Sequence, residues 1–168
     1  MAVPEWIEGE AQVRHVHRRP ARPGVLAPVP DWVSQPVRDT LAGQGVRALW
    51  QHQSLAAQAA FEGRHVALST ATGSGKSLAY LLPIIAATAE GRVGTDAGRH
   101  RWARPDRAHT ALYLAPTKAL AHDQAKRAAA LGGASWRVST LDGDSEPGER
   151  RFARDFATFV LTNPDMLH

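Results

Sequence analysis

Gly73, Ser74, Gly75, Lys76 and Ser77 are the residues of this 168-residue sequence whose types and spacing speak most directly of chemistry. Two glycines flanking one residue let a backbone curl so that successive N–H groups point inward. Lys76 adds an ammonium on a long stem and Ser77 a hydroxyl, both at the start of an apolar stretch that reads as a helix. A helix N-terminus carries positive potential and free N–H donors. Together these groups suit a chain of phosphates, with Lys76 on the β- and γ-phosphates and Ser77 offering its hydroxyl to Mg²⁺. The wider pattern G-x-x-x-x-G-K-[ST] is met except at its first position, where Thr70 stands. A dinucleotide-binding G-x-G-x-x-G is excluded, because Leu78 occupies the place of its last glycine and the lysine would have no task. The ligand expected is a nucleoside triphosphate such as ATP, with Thr72, Gly73, Ser74, Gly75, Lys76 and Ser77 as its contacts.

A phosphate loop needs a strand before it and a helix after it. Residues 65–70 read as the strand and 76–89 as the helix. Upstream, helical patterns over 37–41 and 53–61 end near Gly43, Gly45 and Gly63. Downstream, the pattern gives a strand over 110–115, a helix over 118–131, a strand over 136–141, a helix over 148–155 and a strand over 158–162. Asn163 and Pro164 then read as an N-cap and first helical position. Strands alternating with helices predict an α/β fold, a parallel sheet flanked by helices. Residues 91–109 lack periodicity and read as a basic, mobile surface loop. Residues 1–36 are expected to form an extended basic arm, and 37–168 part of one nucleotide-binding domain.

The composition is that of a globular chain, and the absence of cysteine removes disulfides, thiolate metal sites and cysteine nucleophiles. The apolar run around residues 78–87 contains Pro83 and is too short to span a bilayer, so no membrane association and a cytoplasmic location are expected. A formal charge of +4, carried mostly by arginine, suits a polyanion. His15 and His17 lack a third ligand nearby, and no metal is assigned to them.

Four ordered stretches resemble the DEAD/DEAH-box helicases of superfamily 2. The first is L-W-Q-H-Q at 49–53, similar to the family's upstream glutamine motif. The resemblance implies that Gln53 reads adenine, and a carboxamide's paired donor and acceptor match N6 and N7. The second is T-A-T-G-S-G-K-S at 70–77, followed by Leu78, Ala79, Tyr80 and Pro83. The third is P-T-K-A-L-A-H-D-Q at 116–124, and the resemblance implies that Pro116, Thr117 and Lys118 contact a nucleic-acid backbone. The fourth is Gly143 and Asp144 with V-L-T-N-P-D-M-L at 160–167, where Gly143 and Thr162 would grip the strand. Asp165 would repel phosphate and is read as a helix-start carboxylate. The wording is most similar to a bacterial and fungal DNA-helicase branch with a C-terminal zinc-binding domain. That implies DNA in preference to RNA, and work in repair.

Hydrolysis also needs an acidic strand end for Mg²⁺, a carboxylate to orient water and an arginine for transition-state charge. None is recognisable here, and Asp142 reads as a turn residue. The resemblance puts the D-E-x-H box after residue 168 and the arginine in a second RecA-like domain. The chain is therefore expected to be the front part of a longer helicase, with little ATP turnover by itself and with the rest of that chain as its partner. The alternatives are a nucleotide- or nucleic-acid-binding module without motor activity, and an unrelated small kinase.

Overall fold

The computed structural model describes His15 and residues 23–71, 73–88, 110–134 and 136–167. The expected loop over 91–109 and the site residue Thr72 lie outside them. The element order is β1 (Leu26–Ala27), α1 (Gln35–Gly43), β2 (Leu49–Trp50), α2 (Gln51–Phe61), α3 (Ser77–Thr88), β3 (Ala111–Leu114), α4 (Lys118–Gly132), β4 (Val138–Leu141), α5 (Pro147–Asp155) and β5 (Phe159–Thr162). A single 3₁₀ turn, Pro164–Leu167, follows in place of the expected α-helical start.

Three strands form a parallel sheet in the order β3, β5, β4. Leu114 and Leu141 both stand opposite Thr162, so the carboxyl ends of all three strands meet at one rim. β5 is central and buried on both faces, Phe159 and Leu161 being wholly inaccessible on one and Thr162 buried on the other. The chain returns to each parallel neighbour through a helix, as parallel pairing requires.

The core joins Phe159 and Leu161 to Leu81, Leu82 and Ile85 of α3 and to Ala121, Ala128 and Leu131 of α4. Burying each large aliphatic or aromatic side chain of this set contributes about 1.5–3 kcal/mol. Trp136 lies at the centre. Its ring stacks on Phe159 at 5.1 Å, and its indole N–H donates to Thr88 Oγ1 at 2.8 Å, which satisfies the polar end of a buried residue. α2 packs against α3.

Two further expectations differ from the structure. The arm expected over 1–36 is docked from residue 24 onward: β1 pairs antiparallel with β2, and Val33 is buried with Val37, Leu41 and Leu49. The apolar residues Val29, Trp32 and Val33 were hidden among prolines and arginines, which obscured any period. The strand expected over 65–70 is also not formed; these residues are irregular and mostly exposed, with Val66 43% accessible. A strand is defined by a neighbour's backbone groups, and among the described residues none pairs with this segment.

Candidate nucleotide site

The loop itself takes the form its glycines permit. Gly73 and Gly75 have φ of 76° and 77°, the left-handed region that residues with a Cβ avoid. At Gly75 there is a second constraint, since a Cβ there would stand 2.5 Å from Gln53 Nε2. Lys76 folds back into the loop, its ammonium donating to the carbonyls of Thr70 at 2.9 Å and Ala71 at 2.8 Å and approaching Thr70 Oγ1 at 3.2 Å. Thr70, the departure from the usual pattern, also shares a 2.6 Å hydroxyl contact with Ser74. Helix α3 opens at Ser77, directly after the lysine. Left-handed glycines, a helix N-terminus and an inward cation make a set that fits a triphosphate. For Mg²⁺ the fit is narrower. Ser77 supplies one hydroxyl oxygen, and phosphate oxygens and water would complete the shell, as is usual for this ion.

Gln53 is only 4% exposed and stands on the first turn of α2. Its Oε1 accepts from the Trp50 backbone N–H at 2.8 Å, which caps the helix, and its Nε2 donates to the Gly75 carbonyl at 2.7 Å. Both ends of the carboxamide are thus engaged within the chain, and the glutamine ties α2 to the loop. His52 reinforces the tie through a 3.1 Å contact between Nε2 and the Ser74 carbonyl. Beside Gln53 lies a cavity of about 540 Å³ lined by Trp50, Gly75, Ser77, Leu78, Gln44 and Arg127, among others.

The remaining site residues gather at the carboxyl rim of the sheet. Thr117 is the N-cap of α4, its hydroxyl accepting from Leu120 N–H at 3.3 Å. Pro116 and Thr117 are exposed. Lys118 donates to Asp144 Oδ2 at 2.6 Å, and this bond raises the lysine's pKa above its ordinary value. Gly143 sits beside that pair, and its carbonyl accepts from Arg150 at 3.1 Å. Thr162 requires a correction. Its side chain is buried and its hydroxyl donates to the Leu141 carbonyl at 2.5 Å, across to β4, so that hydroxyl is not presented to an outside phosphate. Parallel pairing aims the β5 terminus at the rim, yet the same packing turns the Thr162 side chain inward.

Asp142 acts as a turn residue, accepting from the Asp144 N–H at 2.9 Å. It also has a partner that the sequence did not suggest. His122 Nε2 lies 2.9 Å from its Oδ2, and this hydrogen bond, foremost among the causes, holds the carboxyl below its ordinary pKa. Two further residues escaped sequence reasoning. Gln124 and Tyr80 were visible only as letters of the third and second motif stretches, with no role attached to either. In the fold Gln124 Oε1 accepts from Ser77 Oγ at 3.0 Å and from the Tyr80 phenol at 2.5 Å, joining the loop helix to α4. Burial pushes the Tyr80 phenol pKa up, so it remains protonated.

Comparison with known proteins bears on this arrangement. Residues 50–168 match the family described as DEAD/DEAH box helicase. The chain is 32% identical over 165 residues to the uncharacterized ATP-dependent helicase YprA of Bacillus subtilis, covering 96% of this chain and 20% of that protein. It is 31% identical over 167 residues to the ATP-dependent helicase hrq1 of Schizosaccharomyces pombe, covering 96% of this chain and 14% of the relative. A crystal structure of the DUF1998 helicase MrfA bound to DNA and AMPPNP superimposes with a TM-score of 0.77 at 32% identity, over 98% of this chain and 21% of that one. The chain therefore spans about a fifth or less of the length of these relatives. The α/β fold and the four motif stretches agree with this similarity, and the chain belongs to the DEAD/DEAH box helicase family.

Proposed function

We propose that this chain is the ATP-binding front portion of a nucleic-acid helicase in which ATP hydrolysis drives strand separation. The observation that carries the reading is the loop of Gly73, Gly75 and Lys76 at the mouth of α3, with its ammonium already inside the turn. In this proposal, residues 37–168 contribute to a RecA-like domain. Lys76 exchanges its loop carbonyls for the β- and γ-phosphates, and Thr72, Gly73, Ser74 and Gly75 line the phosphate path. Ser77 gives one oxygen to Mg²⁺. Gln53 faces the adenine by exchanging its internal bonds for those of the base.

DNA is the proposed polymer. MrfA, a relative at 32% identity, was crystallised on DNA, and this supports the choice. The backbone would meet Pro116, the first turn of α4 at Thr117 and Lys118, and the Gly143 turn, with the backbone around Thr162 in place of its hydroxyl. Work in DNA repair and a cytoplasmic location go with the same reading. Among the described residues no helix is long and apolar enough to cross a membrane.

The test uses the full-length protein with forked DNA and RNA duplexes of equal length. Unwinding is expected on DNA, with Lys76→Ala lowering the ATP-dependent rate by about two orders of magnitude or more. A Lys76→Ala protein that binds nucleotide and separates strands like the parent would refute the proposal.

A further inference from the structure

We infer that Gln124 is a positioning residue for the nucleotide site. Its side-chain oxygen accepts a hydrogen bond from the Ser77 hydroxyl and so turns the lone pairs of that hydroxyl toward the cation that accompanies the triphosphate. The inference rests on the proposed nucleotide reading and adds a residue to it from outside the loop.

A serine hydroxyl has one proton and two lone pairs. A cation takes a lone pair, so the proton must be held elsewhere, or the hydroxyl rotates among useless orientations. Gln124 provides that place at 3.0 Å. The carboxamide is itself fixed in two ways. The Tyr80 phenol donates to the same Oε1 at 2.5 Å, and Gln124 Nε2 donates to Asp123 Oδ2 at 3.3 Å. A carboxylate can only accept, so the amide nitrogen must face Asp123 and the oxygen must face the two hydroxyls. Gln124 is 6% exposed, so losing these partners would leave a buried polar group unsatisfied. The residue belongs to α4, whose first turn carries Thr117 and Lys118, so the same hydrogen bonds tie the loop serine to the helix that faces the rim.

The experiment measures the affinity of the full-length protein for a fluorescent, non-hydrolysable ATP analogue, with Mg²⁺ and in EDTA. Gln124→Ala is expected to weaken binding about tenfold with Mg²⁺ and to leave the EDTA value unchanged, as loss of an outer-shell partner does at metal sites. Gln124→Glu combined with Asp123→Asn keeps an acceptor oxygen in place and gives its second oxygen an amide donor, and is expected to restore most of the loss. Tyr80→Phe removes the second donor without touching the amide, and is expected to give a smaller loss confined to Mg²⁺; this variant decides the matter if Gln124→Ala does not fold. Equal losses with and without Mg²⁺, or no loss in either variant, would overturn the inference. Lys76→Ala separates the two levels. If it weakens binding in both media while Gln124→Ala changes nothing, only the positioning role fails. If Lys76→Ala binds normally, the nucleotide reading falls and takes this inference with it.

Discussion

Residues 65–70 and strand β5 read alike, H-V-A-L-S-T against F-V-L-T, yet one is an irregular exposed segment and the other is the centre of the sheet. Phe159 and Leu161 are fully inaccessible while Val66 is 43% exposed. β5 has a parallel neighbour on each side, whereas 65–70 pairs with nothing among the described residues. Local apolar character gives a segment the capacity to be a strand. Neighbours decide whether the capacity is used.

That contrast has a direct test in paired substitutions. Phe159→Ala is expected to destabilise the fold by about 3–5 kcal/mol, since it empties the space against Trp136, whereas Val66→Ala should stay within about 0.5 kcal/mol. Urea denaturation of both variants measures the difference, and equal losses would mean that 65–70 is packed as tightly as β5. A smaller effect sharpens the picture at the rim. Thr117→Ala removes the cap of α4 and is expected to cost about 0.5–1 kcal/mol in the same assay.

The smallest effect is one of pH. Asp142 is held below its ordinary pKa chiefly by His122, so its contribution is complete above the unfolded carboxylate value and is lost as pH falls through the depressed folded value. His122→Ala is expected to move the Asp142 titration back up toward 3.8, as followed by carboxyl NMR. An unchanged titration would assign the depression to the turn N–H groups instead.

Much of this molecule could be read from its residues, for reasons that are local. The helices from 51, 77, 118 and 147 announce themselves by spacing and by the residues at their starts, and the loop by glycines that only a left-handed backbone explains. The strands at 111, 138 and 159 fell within two residues of expectation because each is a short stretch rich in β-branched, aromatic or aliphatic residues between turn residues. What escaped is non-local. Docking of residues 24–33, the inward turn of the Thr162 hydroxyl, and the bonds from Gln124 to Ser77 and Tyr80 join positions more than twenty residues apart. Gln53 was legible as a site residue by its motif, but its double engagement with Trp50 and Gly75 depends on where two elements come to rest.

Lys118 meets Asp144 at 2.6 Å, with both side chains at the surface. In the proposed encounter with a nucleic-acid phosphate, this cation would release a carboxylate of its own chain as the polymer sheds its condensed counterion. Electrostatic gain would then be partly offset by repulsion between Asp144 and the incoming phosphate. In that reading, removing Asp144 would be felt in how fast polyanions arrive.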